Sequence, residues 1–135
     1  MPFDRELGAI TIACEASDQP ADAQLGVAYS LFNRVNDGRF EPTVAGVCMQ
    51  RYQYSEYLPD KGDNVNLERV VNLPENDPAI ISALAAYDAV ADGTQPDPTD
   101  GSTHFFADAI APPSWTVGAT QAAKLGNILF WKNVK

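Results

Sequence analysis

The sequence predicts an α+β domain, mostly helical at its start, with a small antiparallel sheet at its end. One unit spans residues 1–135. Three observations carry this reading. Apolar residues recur at three- and four-residue steps in three stretches between Phe3 and Ala91. Beyond Gly93, turn residues and short β-prone runs replace that period. Neither an internal repeat nor a linker-like stretch interrupts the 135 residues, a length that suits one domain.

The elements follow in order. Phe3, Leu7, Ile10 and Cys14 mark one face of a first helix. Ser17-Asp18-Gln19-Pro20 breaks it, because the residue before a proline disfavours helical backbone. Leu25, Ala28, Phe32 and Val35 stripe a second helix, which Asn36-Asp37-Gly38 stops. Glu41-Pro42-Thr43 starts a short helix carrying Val44, Val47 and Cys48. Residues 50–76 are rich in Tyr, Asp, Asn and Pro and lack a period, as binding loops often do. Asp77-Pro78 is a cap followed by proline at the first helical position. Ile80, Ile81, Leu84, Tyr87 and Ala91 then form a stripe that Asp92-Gly93 ends. Residues 94–101 are turn chemistry, and 103–106 and 128–131 are short strands.

Charge and composition exclude several classes. Nine bases face 18 acids, a net charge of −9. No Lys or Arg lies between Arg69 and Lys124. A nucleic-acid binder needs a basic footprint, and an anionic membrane surface attracts one, so neither partner is expected. No stretch approaches the roughly 18 apolar residues of a membrane span. The opening Met-Pro-Phe-Asp-Arg-Glu has no signal-peptide pattern, which predicts synthesis in the cytoplasm. Cys14, Cys48 and the lone His104 do not make a zinc set, so no metal and no cofactor is expected. The two cysteines read as buried thiols on apolar helix faces. The run from Asp60 to Asn66 is calcium-loop-like in composition, yet position twelve is Val71 rather than a closing Glu.

Two features carry candidate chemistry. Glu15 ends the first helix beside Ile12 and Cys14. Burial there would keep a carboxyl protonated, as the acid of a glycosidic cleavage must be. The ordinary reading of such a residue is a solvated charge. Tyr52-Gln53-Tyr54-Ser55 and Thr103-His104-Phe105-Phe106, with Trp115, interleave aromatic faces and short polar groups. That mixture suits a saccharide groove, and equally suits half-buried strands. No nucleophile elbow and no phosphate-cradling glycine loop is present.

Taken in order, these pieces resemble the SleB-type cell wall hydrolase family. Its Gly-Glu-Ala-Arg-Gly-Glu opening corresponds to Cys14-Glu15-Ala16-Ser17-Asp18-Gln19. Its Leu-Asn-Arg helix end corresponds to Phe32-Asn33-Arg34, and its Gln-Phe-Ser element to Gln53-Tyr54-Ser55. The run from Asp97 through Gly101 to Phe105, then Pro113-Ser114-Trp115, then Leu125 to Phe130 complete the series. The resemblance implies a lysozyme-like fold that cleaves the β-1,4 bond between N-acetylmuramic acid (MurNAc) and N-acetylglucosamine (GlcNAc) in bacterial peptidoglycan. It implies Glu15 as the catalytic acid. It also implies a lytic transglycosylase, because it supplies no second catalytic carboxylate. Hydrolysis needs one, and Asp18 and Glu56 are the candidates. Ser55 would orient Glu15. Gln53, Thr103 and His104 would hold N-acetyl groups or hydroxyls, and Tyr54, Phe105 and Trp115 would stack on sugar faces. A monomeric phage endolysin, released from the host cytoplasm onto the wall, is the expected setting. A non-catalytic peptidoglycan-binding module is the alternative of another class.

Overall fold

The computed structural model describes residues 3–50 and 69–135. Helix α1 is Asp4–Ala16, α2 is Ala21–Asp37, α3 is Val44–Met49 and α4 is Pro78–Ala91. Residues 69–71 are also helical. Strands β1 (His104–Ala107), β2 (Thr120–Leu125) and β3 (Ile128–Lys132) form an antiparallel sheet in the order β1-β3-β2.

The caps expected from the sequence are present. Gly38 closes α2 at φ +88°, a backbone that side chains with a Cβ disfavour. Thr43 Oγ1 accepts the Gly46 amide at 3.0 Å to start α3. Asp77 accepts the Ala79 amide at 2.9 Å to start α4, with Pro78 behind it.

The buried faces differ from the expected stripes. On α1 the buried residues are Gly8, Ala9, Thr11, Ile12, Ala13 and Ala16, whereas Phe3 is 66% exposed. On α4 they are Ala83, Ala86, Tyr87 and Ala89, with Ile81 54% exposed. Small residues let α1 pack closely on α2 and α4, so alanine and glycine supply much of the seam alongside the buried Ile12, Val27 and Leu31. A Cβ added at Gly8 would stand 2.6 Å from the Tyr87 ring. A Cβ at Gly26 of α2 would stand 2.6 Å from the ring of Phe130, which is fully buried. The thiols also differ from expectation: Cys48 is buried and accepts from Thr11 Oγ1 at 3.1 Å, but Cys14 is only half-buried. No disulfide joins them.

One strand was not expected. Thr120-Gln-Ala-Ala-Lys-Leu125 has little β propensity. It pairs because the tight turn at Gly126, φ +55°, folds it back so that Leu125 faces Ile128. The loop before β1 is pinned to α2. Asp97 accepts from Thr99 N (2.8 Å), Thr99 Oγ1 (2.6 Å), Gly101 N (2.9 Å) and Asn33 Nδ2 (3.0 Å). A buried hydroxyl relay continues from Thr99 Oγ1 to Ser102 Oγ (2.7 Å) and on to Ser30 Oγ (2.9 Å). Arg34 Nε donates to the Thr103 carbonyl. Gly26, Ser30 and Arg34 recur every four residues, so one stripe of α2 receives both β3 and the loop that leads into β1.

Candidate active site

The two faces of the sheet have separate roles. The register pairs Phe105 with Phe130 and Ala107 with Ile128, so these four share one face. That face meets the helices: Phe130 and Ile128 belong to the core. His104, Phe106, Leu129 and Trp131 share the other.

Where the first face meets the end of α1 there is a cavity of about 530 Å³. Its walls are Cys14, Glu15, Ser17, Asp18 and Gln19 from α1 and the following turn, Arg69, and Ala107, Asn127 and Ile128 from the sheet. Glu15 is half-buried there, in the last turn of its helix. Asp18 lines the same space and is exposed. A second cavity, about 380 Å³, lies between α2 and α4 and is walled by alanines together with Asp22, Gln24, Leu25, Ser82 and Gln95. Its buried amide, Gln24, donates to two main-chain carbonyls.

A clamp holds the Glu15 end of α1. The last carbonyls of a helix have no partner within it and must find one outside. The Ala16 carbonyl accepts from Gln19 N at 3.0 Å and from Gln24 Nε2 at 3.1 Å. Gln24 Nε2 also donates to the Gln19 carbonyl at 3.2 Å, and its Oε1 accepts from Ser82 Oγ. One buried amide therefore ties the turn after Glu15 to α2 and α4. On the opposite wall, Gln19 Oε1 accepts the Asn127 amide at 2.8 Å. Gly126 allows this approach, since a Cβ there would meet Gln19 Oε1 at 2.5 Å. The chain has Gln19 where the family pattern has Glu, and this amide joins the α1–α2 turn to the β2–β3 hairpin.

The other expected site residues divide. Gln53, Tyr54, Ser55 and Glu56, and the Asp60–Asn66 run, lie outside the described residues. Phe105 is on the cavity's face of the sheet, half-buried against Phe130 with centroids 5.8 Å apart. His104 and Trp115 are brought together on the opposite face, 4.9 Å apart, where Trp115 also meets Phe106 and Trp131. Burial, then the nearby Arg34 and Arg39 charges, pushes His104 down to about 4, so its imidazole is neutral at neutral pH. Its Nδ1 lies 2.8 Å from Thr103 Oγ1, and Thr103 itself is buried, with its amide on the Trp131 carbonyl.

Sequence reasoning missed Arg69, Gln19 and Gln24 as parts of this site. Arg69 had only an indirect signal, that Ser17 stands where the family pattern has Arg. Gln24 and Gln19 had none beyond being amides near a helix break.

A sequence profile of the family described as Cell Wall Hydrolase matches residues 18–131. The matched segment begins three residues after Glu15. No curated protein sequence matches the chain significantly. Among solved structures, the catalytic domain of the germination-specific lytic transglycosylase SleB from Bacillus anthracis is similar at a TM-score of 0.75 and 23% identity. It covers 98% of this chain and 96% of that one. The catalytic domain of the Bacillus cereus SleB protein is similar at 0.72 and 24% identity, covering 98% of this chain and 91% of that one.

Proposed function

The chain belongs to the cell wall hydrolase family, whose activity is peptidoglycan cleavage, and from that premise we propose that it is a lytic transglycosylase acting at the MurNAc–GlcNAc β-1,4 bond. Glu15 is its general acid and then its base. The observation that carries this reading is the position of Glu15: a half-buried carboxyl at a clamped helix end, on the wall of a cavity of about 530 Å³. The SleB likeness of the fold supports the same assignment.

The chemistry balances with one carboxyl group. Protonated Glu15 gives its proton to the bridging oxygen as the bond from C1 of MurNAc breaks, releasing a new GlcNAc 4-hydroxyl. The 6-hydroxyl of the same MurNAc attacks C1 and returns its proton to the Glu15 carboxylate. A 1,6-anhydro ring closes and the enzyme is regenerated. Tethering favours this nucleophile over a free water, because the entropy of bringing two molecules together is already spent. Phe105, on the same face, offers a surface for a sugar ring.

Asp18 favours one second reading, a hydrolytic muramidase, because it lines the same cavity and could activate water. Mass spectrometry of the soluble glycan fragments tests both. Anhydromuramic ends, lighter by one water, are expected. Reducing muramic ends as the first product would replace the transglycosylase with the muramidase, and reducing GlcNAc ends would reject the chosen bond.

A further inference from the structure

The cavity holds a cation in a chain that has few. Its charged walls are Glu15 and Asp18, both acids, and Arg69. Arg69 Nη2 donates to Ser17 Oγ at 3.3 Å, so its guanidinium reaches across to residue 17. Residue 17 is where the family pattern quoted above has its arginine. A guanidinium therefore lines the cavity that Glu15 lines, delivered from position 69 instead of 17.

We propose that Arg69 is a specificity-determining residue that binds a carboxylate of the peptide stem carried by the glycan strand, with Ser17 as its support. The inference rests on the peptidoglycan reading of the site. The sugar rings of an N-acetylated strand are neutral and need only hydroxyls, amides and flat faces for recognition. Their peptide stems carry carboxylates, which a planar guanidinium fork matches with two parallel hydrogen bonds. The protein's overall charge of −9 repels such a substrate, so a cation in the groove favours its capture.

The test compares two soluble ligands, stem-bearing glycan fragments with free carboxylates and the same fragments with those carboxylates converted to amides. Binding is measured in the Glu15→Gln background, where no turnover consumes them. Adding Arg69→Gln is expected to weaken the free-carboxylate ligand about 10-fold or more, as loss of a charge-assisted hydrogen bond does, and to weaken the amidated ligand much less. Arg69→Lys should fall between, keeping charge without the fork. The transposed variant, Ser17→Arg with Arg69→Ser, should recover carboxylate-dependent binding. Equal losses on both ligands, no loss on either, or failure of the transposed variant to recover while its circular dichroism is native would overturn the proposal. Failure of the transglycosylase reading appears separately, in the products of the wild-type digest.

Discussion

Acidification should destabilise the fold through one residue, His104. Its folded-state value of about 4 lies below the ordinary 6.5 because the ring is largely buried beside Arg34 and Arg39. Between those values the unfolded chain binds more protons than the folded one, so stability falls as pH falls. The gap of about 2.5 units, at 1.36 kcal/mol each, gives about 3 kcal/mol once the pH is below 4. At pH 5 the same linkage gives about 2 kcal/mol, and solvent screening at the exposed edge of the ring reduces this to about 1–2 kcal/mol. Asp37 and Asp88, paired with Arg39 and Arg5, titrate below the ordinary carboxylate range and lose their contribution only at still lower pH. Those two carboxylates therefore do not contribute between pH 7.5 and 5, and comparison with a variant lacking the ring isolates the histidine. Urea unfolding across that interval should show the loss in the wild type and its absence in His104→Asn, whose amide can keep the Thr103 contact. His104 is the only histidine in the chain, so its ring resonances report its titration without assignment. An NMR value near 6.5, or an equal pH loss in the variant, would refute the reasoning.

Glu15→Gln should lower peptidoglycan turnover by about 10²–10⁴-fold with the circular dichroism unchanged, and near wild-type turnover would reject Glu15 as the acid. Gly26→Ala should destabilise by about 1–3 kcal/mol in urea titrations, because its methyl would overlap a fully buried Phe130 ring that has no room to swing away. Gln24→Met keeps the volume but removes both donors from the Glu15 helix end. It should cost about 1–3 kcal/mol and lower kcat more than it raises KM, whereas a pure stability loss with unchanged kcat would make the amide structural only.

What was legible in the sequence was its punctuation. Proline, glycine and small polar residues act through local backbone geometry, so Pro20, Gly38, Thr43 and Asp77 mark helix boundaries without reference to the rest of the fold. Burial was less legible. Hydropathy ranks Phe3 and Ile81 above Ala9 and Ala83, yet the alanines are inside, because close helix approach selects for small size. Strand β2 was invisible for a related reason: its pairing is imposed by a turn and by a partner strand, not by its own residues.

The site follows the same division. Glu15 stood out because a break follows it and a family pattern surrounds it, both local signals. His104, Phe105 and Trp115 were grouped by proximity in sequence, and the two-residue period of β1 separates them: Phe105 lies on the face that meets the helices, while His104 turns to Trp115 on the other side. Any role for His104 toward substrate must then act at that second face or through the strand that carries Phe105. Arg69 was hidden by the opposite circumstance, 52 residues from the serine it bonds. A motif departure at Ser17 and a cation far along the chain become one observation only when the cavity brings them together. A deviation from a family motif is thus best followed by asking which side chain now occupies the vacated volume. In this protein the geometry supplies a testable answer.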